Sequence, residues 1–183
     1  MAELNPVANH WGVFFDRDGT LNHHLTRAGR RGSPWCPEEL SLLPDAVPAA
    51  EALRRAGAQL FVVTNQPDLD RGLLDPEQLD RMHAALTAAL GLRKIYVCPH
   101  TADRGCRCRK PASGLFHRAA ADFGVDLGRS WVVGDRATDA QAGINAGLRA
   151  LLLTRVAGRR SGVPGLWYAT SLTEAARRVI LRA

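Results

Sequence analysis

The chain has 183 residues, 46% of them hydrophobic, which is enough for one domain with a sizeable core and ordinary for a globular protein. No apolar run approaches a membrane span, and Met1 to His10 lacks the basic-then-apolar pattern of a secretory signal, so no membrane partner and a cytoplasmic location are expected. A net charge of +6 favours anionic partners, but arginine is spread along the chain, densest at Arg104 to Lys110 and Arg155 to Arg160, so charge alone does not identify one.

The first predicted element is a buried strand, Val13 to Phe15, bounded by Gly12 and Gly19. It ends in two carboxylates one residue apart, Asp16 and Asp18, which face the same side if the chain stays extended. Like charges this close are costly unless a cation, a shared proton or a basic group accommodates them. His23 to Pro37 is polar and reads as a loop or short hairpin over the strand end. Asp45 caps a helix carrying Val47, Ala50 and Leu53. Leu60 to Val63 is a second buried strand, ending at Thr64-Asn65-Gln66.

Asp75-Pro76 opens a helix whose stripe is Leu79, Met82, Leu86 and Leu90, stopped by Gly91. His83 lies on or beside that stripe and reads as a packed histidine rather than a ligand. Lys94 to Val97 is a short strand. Leu115, Phe116, Ala119, Ala120 and Phe123 mark a helix closed by Gly124. Trp131 to Gly134 is a strand ending in Asp135, and Ala137 to Ala146 is a small-residue helix suited to close packing on a sheet. Arg149 to Leu153 and Trp167 to Ala169 add strands, and Ser171 and Glu174 form a capping-box pattern before the last helix. Strands alternating with helices predict an α/β fold of three layers, with a mostly parallel sheet and helices on both faces. Neither a repeat nor a long linker divides residues 1–183, so one domain without a separate cap domain is expected.

Three strand ends carry polar groups suited to phosphate chemistry: Asp16/Asp18, Thr64/Asn65 and Asp135. Lys110 joins them from a loop before a helix. Ligands bind beyond the carboxyl ends of strands in open α/β sheets, so parallel neighbours would bring these groups together. The runs Asp16-Arg17-Asp18-Gly19-Thr20, Thr64 after its strand, Lys110, and Gly134-Asp135-Arg136-Ala137-Thr138-Asp139 resemble, in order, the four motifs of the haloacid dehalogenase-like phosphatases. The resemblance covers about Trp11 to Leu153. It implies a Rossmann-like core and a Mg²⁺-dependent phosphomonoester hydrolase.

The resemblance also implies roles. Asp16 is the nucleophile, and Asp18 is the general acid/base, starting protonated beside an anionic centre that raises its pKa. Mg²⁺ is held by Asp16, the Asp18 backbone carbonyl and Asp135. Asp139 ranks below Asp135 as a ligand, with a helix-surface position as its alternative reading. Thr64, Asn65 and Lys110 hold the phosphate.

Three cysteines, Cys98, Cys106 and Cys108, cluster beside His100 within residues 98–108; the fourth, Cys36, stands apart. Three thiols and an imidazole match a closed tetrahedral zinc site with a structural role, stiffening the loop that delivers Arg109 and Lys110. Cys-Pro-His followed by Cys-x-Cys-Arg-Lys-Pro resembles the zinc-containing branch of the family, which includes the D-glycero-D-manno-heptose-1,7-bisphosphate and histidinol-phosphate phosphatases. In that branch Arg109 and Arg136 fall at substrate-contacting positions, the second in place of a more usual lysine. Pro67 to Gly72 departs from the commoner Ser-Gly-Ile-Ala-Arg-Gly.

The implied partner is a small phosphorylated metabolite bound by a monomer. A heptose bisphosphate comes first, and histidinol phosphate or another sugar phosphate is the alternative. Without an aromatic-interleaved basic groove, a nucleic-acid 3′-phosphatase is disfavoured. A zinc-stabilised nucleic-acid-binding module without catalysis is disfavoured by the acidic motif, which repels a phosphate backbone.

Overall fold

The computed structural model describes residues 10–27, 29–159 and 161–183. The expectation for the first nine residues and the end of the Arg155 to Arg160 patch lie outside them. Six strands form one sheet: β1 (Gly12–Phe15), β4 (Gln59–Asn65), β5 (Lys94–Cys98), β6 (Trp131–Gly134), β7 (Arg149–Leu153) and β8 (Leu166–Ala169). Their order is β5-β4-β1-β6-β7-β8, and every pairing is parallel. The short strands β2 (Leu25–Arg27) and β3 (Arg30–Gly32) form the antiparallel hairpin expected after β1.

Side-chain alternation sorts the core into two layers. Val13, Phe15, Leu60, Val62, Trp131 and Val133 face one side, against α1 (Ala46–Arg55), α2 (Pro76–Leu90) and α5 (Leu172–Ile180). Phe14, Phe61, Val63 and Val132 face the other, against α3 (Gly114–Phe123) and α4 (Ala137–Asn145). Phe14 stacks on Phe61 at 4.9 Å between ring centroids and meets Phe116 of α3 edge-on at 5.4 Å. The helix α4 packs as closely as its small residues predict: a Cβ on Gly143 would fall 2.1 Å from Val132 Cγ1.

Two caps differ from the sequence reading. Asp45 stands at the N-cap position of α1 but makes no side-chain bond to that helix. Its Oδ2 instead accepts from the Thr173 N–H at the start of α5. Ser171 accepts from the Glu174 N–H as expected, whereas Glu174 reaches one residue further back, to the N–H and hydroxyl of Thr170. Asp75 and Gly91 bound α2 as predicted, the glycine in the left-handed region at φ 65°. No helix among the described residues is long and apolar enough to cross a membrane.

Parallel pairing of β4, β1 and β6 puts their carboxyl ends side by side. Asp16, Thr64 and Asp135 are therefore neighbours at one edge, and the hairpin stands over them. Among the described residues the hairpin and the loops after β4 and β5 line the cleft, and no separate cap domain covers it.

Candidate active site

The cleft at this edge has a volume of about 160 Å³, and its lining includes Asp16, Asp18, Thr64, Asn65, Arg109, Lys110, Arg136 and Asp139. Asp16 is buried at its base. Lys110 Nζ donates to Asp16 Oδ1 at 2.7 Å and to the Val63 carbonyl at 2.7 Å, and pairs with Asp139 Oδ1 at 2.7 Å. Burial pushes the Asp16 pKa up to about 6; Lys110 opposes this, and Asp139 adds to it. Burial alone would lower the Lys110 pKa, but the two carboxylates outweigh it and hold the pKa above the ordinary lysine value.

Asp139 is 1% exposed, which removes the helix-surface alternative that the sequence left open. It sits in the first turn of α4, where its Oδ2 accepts from the Arg136 N–H at 3.0 Å while its other oxygen holds Lys110. A carboxylate there also suits the positive end of the helix dipole.

Asp18 lies in a different environment. Arg17, fully buried, presents a fork to it: Nε to Oδ1 and Nη2 to Oδ2, both at 3.0 Å. Asn22 Nδ2 donates at 3.0 Å and Gln66 Nε2 at 2.9 Å. Burial would raise the Asp18 pKa, but Arg17, Gln66 and Asn22 prevail and hold it below the usual carboxylate value. The raised value expected from sequence is thus reversed before any phosphate binds. The remaining Arg17 nitrogen, Nη1, lies 3.3 Å from His83 Nε2. His83 is a packed histidine, as read from sequence; burial and then Arg17 lower its pKa to about 4, so the ring is neutral and accepts this bond.

Thr64 is buried, and its hydroxyl accepts from Gln66 Nε2 at 2.9 Å. The Asn65 side chain clamps the Lys110 backbone, accepting from its N–H at 3.1 Å and donating to its carbonyl at 3.2 Å. Asn65 therefore fixes the lysine rather than reaching free into the cleft. Arg109 Nη1 donates to the His100 carbonyl at 2.9 Å, and Arg136 is exposed at the rim. Arg17, Asn22, Gln66 and Asp139 were not identified from sequence as site residues.

Asp135 borders the cleft from the end of β6. Its Oδ2 lies 3.0 Å from His24 Nε2 and 3.7 Å from Arg31 Nη1 on the hairpin. Its Oδ1 is buried without a hydrogen-bond partner. Gly19 makes room for this contact: its φ is +86°, and a Cβ there would fall 2.2 Å from His24 Nε2 and 2.7 Å from Asp135 Oδ2. Carboxylate oxygens of Asp16, Asp135 and Asp139 lie within 4.8 Å of one another. An oxygen-rich cluster with an orphaned acceptor fits a hard divalent cation. Both Asp139 oxygens are taken, by Lys110 and the Arg136 N–H, whereas Lys110 engages Asp16 through Oδ1 and Asp135 keeps Oδ1 unpartnered.

The four residues of the Cys/His loop also converge. Cys98 Sγ lies 3.6 Å from Cys106 Sγ and 3.3 Å from Cys108 Sγ; Cys108 Sγ lies 3.3 Å from Cys106 Sγ and from His100 Nδ1. Atoms at these separations can surround one tetrahedral ion with the usual Zn–S and Zn–N bond lengths.

A haloacid dehalogenase-like hydrolase profile matches residues 30–147. The chain belongs to the haloacid dehalogenase-like hydrolases. Within that family it is 38% identical over 144 residues to the probable D-glycero-D-manno-heptose-1,7-bisphosphate 7-phosphatase of Thermoplasma acidophilum, covering 74% of this chain and 85% of the relative. It is 35% identical over 158 residues to the D-glycero-beta-D-manno-heptose-1,7-bisphosphate 7-phosphatase of Bordetella bronchiseptica, covering 84% and 86% of the two chains. The crystal structure of the D,D-heptose 1,7-bisphosphate phosphatase from B. bronchiseptica, complexed with magnesium and phosphate, superposes with a TM-score of 0.81 at 30% identity, covering 94% of this chain and 99% of that one.

Proposed function

We propose that the protein is a phosphatase that removes the 7-phosphate of a D-glycero-D-manno-heptose 1,7-bisphosphate, with Asp16 as its nucleophile. The observation that carries this reading is the convergence of Asp16 and Asp135, at the tips of adjacent parallel strands, with Lys110 from the loop before α3, in a chain that resembles named heptose bisphosphate phosphatases over most of its length.

Asp16 and Asp135, with the Asp18 backbone carbonyl, would hold Mg²⁺, which when bound offsets the repulsion between a carboxylate and a phosphate dianion. The Asp16 carboxylate attacks phosphorus, an aspartyl phosphate forms, and the sugar oxygen leaves with a proton from Asp18. A phosphate dianion beside Asp18 opposes Arg17 and raises the affinity of the carboxyl for that proton. Asp18 then takes a proton from the water that attacks phosphorus, releasing phosphate and restoring Asp16. Lys110 and Thr64 stabilise the charge on the non-bridging oxygens, and low local dielectric strengthens both contacts. Arg109 and Arg136 at the rim receive the rest of the anionic substrate.

Cys98, His100, Cys106 and Cys108 would hold a structural zinc, leaving no open coordination position. Arg109 and Lys110 follow the last ligand directly, so an ordered loop delivers both. A phosphate-release screen with Mg²⁺ across heptose bisphosphates, histidinol phosphate, hexose phosphates and a 3′-phosphorylated oligonucleotide tests the assignment. The expected result is highest kcat/KM on a heptose 1,7-bisphosphate; a clear preference for any of the others overturns it.

A further inference from the structure

Residues 67–72 form one wall of the cleft, where Pro67, Asp68 and Arg71 line it. This is the segment that departs from the commoner family pattern, and two of its departures are acidic: Asp68 and Asp70. Asp68 stays within the wall, accepting from Arg71 Nη1 at 2.9 Å and from the Trp35 indole N–H at 2.9 Å. Asp70 turns away from the cleft toward the Cys/His loop.

Four donors converge on the Asp70 carboxylate. Oδ2 accepts from the Thr101 N–H at 3.1 Å, the Thr101 hydroxyl at 2.7 Å and Arg104 Nε at 3.0 Å, and Oδ1 accepts from Arg104 Nη2 at 2.9 Å. These donors hold its carboxyl well below the usual range. Thr101 and Arg104 both lie between His100 and Cys106, in the stretch that a metal at the four-ligand cluster would close. The bidentate guanidinium and the backbone donor fix direction as well as distance.

We propose that Asp70 is a positioning residue that ties the substrate-facing loop 67–72 to the Cys/His loop, so that the metal-closed shape of one loop sets the wall of the cleft in the other. The proposal rests on the reading of this cleft as the substrate site. Asp70 lines no part of the cleft, so its effect passes through Asp68 and Arg71 to substrate binding and not to phosphoryl transfer. The coupling is reciprocal: whatever loosens the Asp70 clamp also loosens the hold on the metal.

The test compares zinc-loaded wild type with Asp70→Ala, Asp70→Asn and Arg104→Ala. Zinc release to a chromophoric chelator and the KM and kcat of phosphate release are measured in parallel. KM is read on whichever phosphomonoester the wild type turns over fastest, so a wrong substrate assignment leaves the test intact.

In Asp70→Ala, KM should rise about tenfold, the equivalent of losing one or two charge-assisted hydrogen bonds, with kcat within about twofold of wild type. Zinc release should quicken by a similar factor. Arg104→Ala, at a position whose side chain is 60% exposed and whose loss leaves fold and Thr101 contacts in place, should show smaller changes in the same two readouts. Faster zinc release with unchanged KM overturns the coupling. So does a fall in kcat at constant KM, or no change in either readout.

Discussion

Lys110 and Asp139 form an ion pair at 2.7 Å with side chains only 3% and 2% exposed. The pair explains how a lysine can remain charged at the bottom of a cleft beside Asp16. Without Asp139 the ammonium would keep Asp16 as its only carboxylate beside the Val63 carbonyl, and Arg136 would lose the acceptor for its N–H. Asp139→Ala should therefore destabilise the protein by about 1–3 kcal/mol, the range for leaving buried donors short of an acceptor. Denaturant unfolding measures this directly.

Arg17 touches Asp18 through two bonds and does not line the cleft. A lysine in its place keeps the charge and loses the fork. Arg17→Lys should lower kcat by up to about 10²-fold, the cost of a misaligned catalytic group, while KM stays close to wild type. Steady-state kinetics separate the two parameters. A rise in KM alone would place Arg17 in substrate binding instead.

His83 titrates near 4 in the folded protein, against an ordinary value of 6.5. Its folded-state pKa is depressed, so between those values the unfolded chain binds the extra proton and stability falls as pH falls. Below about 4 both states are protonated and the penalty is constant. His83→Gln keeps an acceptor for Arg17 and cannot protonate. The stability of wild type relative to this variant should therefore decline as pH drops from 6.5 to about 4 and change little above 6.5. Thermal midpoints of both proteins across that window provide the measurement.

Cys106→Ser should reduce bound zinc from about one ion per chain toward none. Loss of the ion removes folding free energy, and for a protein of this size each kcal/mol lost lowers Tm by roughly 2–4 °C. Elemental analysis and a melting curve test both. A variant that keeps its zinc and its Tm would exclude Cys106 as a ligand.

Much of the fold was legible because strand and helix periods are local properties. The runs at Val13 to Phe15, Leu60 to Val63 and Trp131 to Gly134 are apolar on both faces, as strands buried between two helical layers must be. Their polar ends gave the site once the strands were read as parallel neighbours. Sequence spacing did not reveal what lies between the motifs. Arg17 is charged and flanked by carboxylates, features of an exposed residue, and only its fork onto Asp18 and the placement of His83 show why it is buried. A surface position for Asp139 is open in the sequence because the first turn of a short helix is often solvated; here that turn faces Lys110. The Asp45 contact spans 128 residues, and no local pattern encodes it.

Catalysis by this route requires that Asp16 carry the phosphoryl group. Replacing Asp16 by asparagine leaves size and shape almost unchanged and removes the attacking carboxylate. Phosphate release from D-glycero-D-manno-heptose 1,7-bisphosphate with Mg²⁺ should then fall to background, while the circular dichroism spectrum matches wild type. Substantial turnover by a folded Asp16→Asn variant would rule Asp16 out as the nucleophile.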